Sequence, residues 1–165
     1  MANEFLGKVV LVTGSSSGIG AATAIHFAKS GAHVVITGRK TESLQSIYDQ
    51  CKAASEQGKF NLTNPVVHLA GDITDDEFCK KLVDTTIENY GKLDILVNNA
   101  GASYWSSIHD PEYMMTYKRL MDVNLRSVVQ LTHIAVPYLE KTKGVIVNVS
   151  SIASTKPVKN NNVNS

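Results

Sequence analysis

Apolar residues concentrate in short runs that recur along the chain. The clearest runs lie at residues 9–12, 33–37, 66–69, 93–97 and 145–149. Nearly continuous apolar runs of this length are typical of strands buried on both faces of a parallel sheet. The pattern therefore predicts a strand at each run, and the first of them has the sequence Val9-Val10-Leu11-Val12.

Between these runs the apolar spacing becomes that of amphipathic helices. Thr74 and Glu77 form a capping-box pattern at the start of one helix, and Thr41 is the predicted cap of another. Asp110 is the predicted N-cap of a long helix that continues to about Lys141. Strands that alternate with helices predict an α/β fold with right-handed crossovers, and we expect a parallel sheet with the strand order 3-2-1-4-5.

A glycine-rich stretch joins the first strand to the first helix. Its first glycine permits a tight turn, its second lets the backbone approach a pyrophosphate, and its third lets the helix pack on the strand. The helix N-terminus adds unpaired N–H groups and a partial positive charge. A strand-to-helix turn that merely requires glycines stays open as the alternative. The predicted cofactor-binding residues of this stretch are Gly14, Ser15, Ser16, Ser17, Gly18, Ile19 and Gly20.

The composition is that of an ordinary globular domain. The chain has 165 residues, of which 43% are apolar and 19% are charged, and its net charge is +1. That balance favours neither a nucleic acid nor a membrane surface as a partner, and no apolar run approaches the length of a membrane span. Cys51 and Cys79 lie in no redox or metal motif, so we expect small core residues, no metal site and a cytoplasmic location.

The spacing Thr-Gly-x-x-x-Gly-Ile-Gly resembles the signature of the short-chain dehydrogenase/reductase family, whose fold is a Rossmann-like doubly wound parallel sheet. Further stretches match that family in the same order, and the resemblance covers residues 6 to about 155. It implies that further cofactor contacts and two catalytic positions follow the later strands. The cofactor-binding positions are Asp72, Ile73, Asn99, Ala100 and Gly101, and the catalytic positions are Asn124 and Ser151.

Each of these short matches also has a purely structural interpretation. Asp72 is equally typical of a turn, and Asn98, beside Asn99, is equally suited to bridging two strands. Ser151 is equally a surface hydroxyl. The ordered set of matches favours the functional interpretation, whereas no single match carries it.

The end of the second strand indicates which cofactor is bound. Family members that prefer NAD(H) usually have an acidic residue there, which holds the ribose hydroxyls. This chain has Gly38 followed by Arg39, and a guanidinium suits a 2′-phosphate in both charge and geometry. We therefore expect NADP(H) to be favoured over NAD(H), although Arg39 and Lys40 could also be solvated charges at a helix start.

The chain departs from the family after Ser151. The resemblance implies a Tyr-x-x-x-Lys motif about a dozen residues later, and none of the six tyrosines follows the serine. We interpret residues 1–155 as an incomplete, truncated NAD(P)-binding domain and residues 156–165 as a disordered Asn-rich tail. Without the family's later strands, the fifth strand is expected to be an exposed edge.

Two functions from different classes follow. The first is an NADP-dependent oxidoreductase that interconverts a small carbonyl and an alcohol by hydride transfer, catalytically incomplete in this form. The second is a non-catalytic fragment that binds a dinucleotide or pairs with another subunit, for which the long helix offers a surface to a second copy.

Overall fold

The predicted architecture is confirmed by a computed structural model, which describes residues 4–104 and 106–151. Within them lies a five-stranded sheet of order β3-β2-β1-β4-β5, and each pair of neighbouring strands is parallel. The elements, in chain order, are β1 (Val9–Val12), α1 (Gly18–Lys29), β2 (His33–Gly38), α2 (Thr41–Gln57), β3 (Val66–Ala70), α3 (Asp76–Tyr90), β4 (Ile95–Asn98), α4 (Tyr113–Met121), a π-helical turn (Asp122–Arg126), α5 (Ser127–Thr142) and β5 (Val145–Asn148).

Strand β1 lies at the centre of the sheet and is buried along its whole length. Alternate residues face opposite sides, so Val10 and Val12 join a core with α1 and α2, while Val9 and Leu11 join a second core with α3 and α5. Both cysteines are fully buried in these two cores, as predicted. This packing fixes the carboxyl end of β1, where the glycine-rich turn begins.

The helix starts differ from the sequence prediction by one or two residues. Thr74 does not cap α3, because its N–H and hydroxyl both donate to Asp72 Oδ1, and Asp75 accepts from Glu77 N instead. Thr41 is already the first residue of α2, and the preceding Lys40 makes no side-chain cap. In both cases a neighbour one position away adopts the extended backbone of an N-cap.

The predicted long helix is divided into three parts. Asp110 caps a turn before the helix, with Oδ1 accepting from Glu112 N, and α4 starts only at Tyr113. The π-helical turn then separates α4 from α5, which continues past Pro137. An inserted π turn shifts the register of side chains around the helix, and such turns are frequent at functional sites.

Strand β5 is the exposed edge that the sequence predicted. Val145, Ile146 and Val147 are 55%, 37% and 43% exposed, whereas the residues of β1 are at most 1% exposed. Among the described residues, no helix has the length and apolar content needed to cross a bilayer. The predicted tail, residues 156–165, lies outside the described part of the chain.

A buried carboxylate ties the amino ends of the central strands together. Asp94 accepts from Val9 N at 2.9 Å and from the ammonium groups of Lys8 and Lys92 at 3.0 Å each. Burial of Asp94 acts to raise its pKa, but the hydrogen bonds from Val9, Lys8 and Lys92 outweigh it, so the pKa is lowered. This cluster lies at the opposite end of the sheet from the glycine-rich turn.

Candidate functional site

A cleft of about 360 Å³ opens where the carboxyl ends of β1 to β4 meet. Parallel α/β sheets bind ligands at this edge. The structure brings most of the predicted cofactor-binding residues to its wall, namely Gly14, Ser16, Ser17, Ile19, Arg39, Asp72, Ile73, Asn99, Ala100 and Gly101. Of the remaining lining residues, Gly38 is the strand-end position at which the sequence lacks a carboxylate. The others, which had no predicted role, are Thr37, Gly71, Ala102 and Val123.

The glycines of the turn meet two different demands. Gly14 has φ +62°, and a Cβ there would lie 2.7 Å from Ala100 Cα. A Cβ on Gly20 would lie 2.5 Å from Gly14 O, so α1 can approach the turn only with a glycine at this position. Gly18 has φ +56° and no atom within 4 Å of the position of a Cβ, so a glycine is needed there for its backbone conformation and not for close packing.

The start of α1 presents free N–H groups to this space. Ser17 is the N-cap residue but makes no side-chain cap hydrogen bond, and α1 has no acidic residue in its first turn. The first N–H groups of a helix have no intrahelical acceptor, and the helix dipole adds a partial positive charge. The apolar side chain of Ile19, 66% exposed, lies at the same cleft. An anionic group attached to a flat or apolar moiety fits this combination.

A brace from Thr13 holds the turn against the segment after β4. The buried Thr13 hydroxyl accepts from Asn99 N and Ala100 N, both at 3.0 Å. In return, Asn99 Nδ2 donates to the carbonyl oxygens of Thr13 and Gly14 at 2.9 and 3.1 Å. Sequence reasoning missed this brace, although the threonine before the first glycine was its visible signal.

Gly18 and Gly20 are predicted site residues that do not line the cleft. Ser15 does not line it either and faces away from it. It is fully buried, and its hydroxyl donates to Val12 O at 2.9 Å and accepts from Thr37 N at 2.9 Å. Its own N–H donates to Thr37 O at 3.0 Å. Ser15 therefore joins the turn to β2 and has no side-chain donor directed at a ligand.

The segment after β3 is held in a fixed turn at the far wall. Asp72 Oδ1 accepts from Thr74, and the Cys79 thiol donates to Ile73 O at 3.2 Å. Burial, and secondarily the nearby Asp76 and Asp75, raises the pKa of Cys79 to about 11, so this thiol remains protonated at neutral pH. Asp72 is thus also the turn residue that its alternative interpretation described.

Arg39 stands at the end of β2 on the wall of the cleft. Its side chain is exposed and forms none of the ion pairs found within the described residues. Gly38, immediately before it, carries no side chain that could neutralise the guanidinium. The guanidinium is therefore available to an anionic group at this wall of the cleft.

Asn124 and Ser151 meet in a second, wider cleft of about 710 Å³ that shares residues 99–102 with the first. Asn124, in the π-helical turn, accepts from Ala102 N at 2.8 Å and donates to Ala102 O at 2.9 Å. Asn98 bridges β4 to β5 by donating to Asn148 Oδ1 at 2.9 Å. The strand-bridging interpretation of Asn98 is therefore confirmed.

The family model described as short chain dehydrogenase matches residues 8–165. The chain belongs to the short chain dehydrogenase family. That match includes residues 156–165, which the sequence analysis set apart as a tail, and it begins at the residue before β1. The parallel sheet and the cleft at its carboxyl edge are thus those of a Rossmann-like, nucleotide-binding oxidoreductase fold.

Several named relatives of this family are similar to the chain. An 11-beta-hydroxysteroid dehydrogenase A from Sesamum indicum is 39% identical over 155 residues, which is 93% of this chain and 42% of that protein. The 11-beta-hydroxysteroid dehydrogenase-like 2 protein of Arabidopsis thaliana is 35% identical over 93% of this chain and 47% of its own length. The chain thus spans less than half the length of these curated relatives.

Solved structures of family members have the same fold. The glucose dehydrogenase of Caenorhabditis elegans in its apo form superposes with a TM-score of 0.78 and 44% identity, over 92% of this chain and 57% of that one. A short-chain dehydrogenase/reductase of unknown function from the same organism, solved with its cofactor, gives a TM-score of 0.81 and 35% identity, over 94% and 56% of the two chains.

Proposed function

We propose that this chain is the cofactor-binding part of an NADP(H)-dependent oxidoreductase that interconverts a small alcohol and a carbonyl compound. The observation that carries the proposal is that Arg39, which forms no ion pair within the described residues, lies on the same cleft wall as the uncapped N–H groups of α1. These two features supply positive potential at two separate points. NADP(H) carries phosphate at two such points, the pyrophosphate and the ribose 2′ position, whereas NAD(H) carries only the first.

Different residues of the cleft would contact different parts of the dinucleotide. The amides at the start of α1 would hold the pyrophosphate, and Arg39 the 2′-phosphate. Asp72 and Ile73 would lie towards the adenine end, while Asn99, Ala100 and Gly101 line the part of the cleft that leads into the second one. When bound, the nicotinamide supplies the hydride, so this chain's task is to position it and to exclude competing contacts.

The second cleft is the proposed substrate end. Ser151 lies there and would donate a hydrogen bond to a substrate carbonyl, while Asn124 fixes the loop at Ala102 rather than offering a free amide. Reduction also requires a proton donor of suitable pKa beside the developing alkoxide. No tyrosine follows Ser151 in the sequence. We therefore expect the 165-residue chain by itself to bind cofactor without turnover.

The substrate is proposed only as a class. One similar protein is named as a hydroxysteroid dehydrogenase and another as a glucose dehydrogenase. The substrates in these two names have in common only an alcohol group that can be oxidised. Because the chain spans less than half of the curated relatives, their individual substrates are not carried over to it. A small carbonyl or alcohol is the class on which these names agree.

The second candidate is a dinucleotide-binding module that pairs with another subunit. It is favoured by apolar side chains on the outside of the long helical region, where Leu125 is 51% and Val129 is 60% exposed. A homo-oligomer formed through this region would cover both residues. Residues 1–155 would act as the binding domain, and the two unpaired cysteines agree with a cytoplasmic setting.

The proposal is tested by the binding of NADPH and NADH to wild-type chain and to Arg39→Ala, followed by nicotinamide fluorescence. Loss of a charge-assisted contact of about 1.5 kcal/mol, the low end for an exposed side chain, predicts roughly tenfold weaker NADPH binding. NADH binding should change less than twofold. Arg119→Ala, an exposed arginine of α4 away from the cleft, is the matched control. Equal losses for both cofactors would contradict recognition of the 2′-phosphate by Arg39.

A further inference from the structure

Ser16 packs directly on Gly38 at the end of β2. An acidic side chain at position 38 would favour NAD(H) over NADP(H). A Cβ built on Gly38 lies 2.7 Å from Ser16 Oγ and 2.8 Å from Ser16 Cβ. A hydroxyl can rotate away, but the position of a Cβ is set by its own backbone. Any side chain at position 38 would therefore have to displace the backbone at Ser16.

The residues before this contact oppose such a displacement and make it costly. Ser15 and Thr37 hold each other through three hydrogen bonds of 2.9 to 3.3 Å between fully or nearly fully buried groups. On the far side, Gly38 O accepts from Gly71 N at 3.1 Å. The two strands of backbone that meet at Ser16 and Gly38 are thus pinned on both sides of the contact.

We propose that Ser16 is a specificity-determining residue: it keeps the end of β2 free of a side chain and thereby excludes the carboxylate that would hold the ribose hydroxyls of NAD(H). In dinucleotide-binding folds that carboxylate stands about 20 residues beyond the glycine-rich turn, at the end of the second strand. The inference rests on the proposed NADP(H) preference and adds to Arg39 a second, steric determinant. Cofactor choice then requires residues 16 and 38 to change together.

The inference predicts a specific pattern of coupling between these two positions. Gly38→Asp alone should weaken the binding of both NADPH and NADH at least fivefold. The glycine-rich turn is displaced in this variant and carries the N–H groups at the start of α1 with it. In the double variant Ser16→Gly with Gly38→Asp, the nearest remaining atom to the new Cβ is the backbone nitrogen of residue 16 at 3.6 Å, an ordinary contact. NADH binding should then recover at least tenfold over Gly38→Asp, while NADPH binding stays weak because the carboxylate repels the 2′-phosphate.

A cofactor-free measurement separates the steric contact from recognition. Gly38→Ala reduces the freedom of the unfolded chain and would stabilise the protein if position 38 had room. We expect Gly38→Ala instead to lower Tm. The double variant Ser16→Gly/Gly38→Ala should recover the wild-type Tm. The double variant Ser16→Ala/Gly38→Ala should not recover it fully, because it keeps the Cβ at position 16.

The outcomes distinguish this inference from the function on which it rests. If wild-type chain does not prefer NADPH, the proposed function fails, whereas the Tm coupling still tests the contact. If Gly38→Asp binds NADH as tightly as the double variant does, or if Gly38→Ala does not lower Tm, Ser16 is not the barrier and the inference is wrong.

Discussion

The Thr13 brace provides the most direct link between the stability of this fold and its cofactor cleft. We predict that Thr13→Val, which replaces the hydroxyl by a methyl group of similar size, destabilises the chain. It leaves Asn99 N and Ala100 N without the acceptor that each now has at 3.0 Å, while creating no cavity. An N–H left unpaired in a part-buried site costs about 1–3 kcal/mol, so for the two N–H groups the expected loss in unfolding free energy is roughly 2–6 kcal/mol.

The matched control is Thr13→Ser. It keeps the hydroxyl and removes one buried methyl group, for an expected loss of about 1 kcal/mol. Urea denaturation followed by circular dichroism measures both variants, with the slope m compared to exclude a change in the unfolded state. Because the brace also positions Asn99 and the Gly14 carbonyl, NADPH binding should weaken more in Thr13→Val than in Thr13→Ser. The reasoning would be refuted if the unfolding free energy of Thr13→Val lay within about 0.5 kcal/mol of that of the wild type. This limit is below the ~1 kcal/mol that a single unpaired N–H donor costs.

Two further predictions concern other parts of the molecule. Asp94→Asn should lower the unfolding free energy at pH 7 by about 1–3 kcal/mol, since it removes the charge that Lys8 and Lys92 contact, whereas the exposed Glu88→Gln should not. The pKa of Asp94 is lower in the folded state, so its contribution to the free energy of unfolding is present above the unfolded pKa of about 3.9 and is lost as the pH falls through the folded pKa. Acidification should therefore destabilise the wild type more steeply than Asp94→Asn. Parallel curves of unfolding free energy against pH would contradict this. The purified 165-residue chain should show no reduction of ketones, quinones or aldehydes by NADPH above background, with an intact family member as positive control; turnover that disappears in Ser151→Ala would overturn this.

Local sequence patterns predicted the features whose causes are local. Five apolar runs predicted the strands, and their alternation with helices led to the expected order, which is the one observed. The glycine spacing predicted the turn, because a positive φ at Gly14 and a close approach at Gly20 permit few other residues. The exposed edge at β5 was also predicted, and Val145, Ile146 and Val147 are indeed 55%, 37% and 43% exposed.

Features that depend on distant partners could not be predicted in the same way. Thr13 acquires its role only from Asn99 and Ala100, more than 80 positions later. Helical periodicity does not reveal the π-helical turn at Asn124, nor the hydrogen bond that Asn124 accepts from the distant Ala102 N. The cap of α3 moved from Thr74 to Asp75 because Asp72 competes for the threonine. Ser15 was predicted to bind the cofactor because it lies within the glycine-rich stretch, but its hydroxyl bonds to the backbone of Val12 and Thr37 instead.

The central claim is that the cleft at the carboxyl end of β1 holds the dinucleotide. Amide hydrogen exchange with and without saturating NADPH, read by mass spectrometry at peptide level, locates the ligand directly. The account predicts slowed exchange at the glycine-rich turn, at Arg39 and around Ala100, with exchange unchanged at the exposed helix surface near Glu88. Protection that is absent from the turn, or that appears only elsewhere, would contradict it.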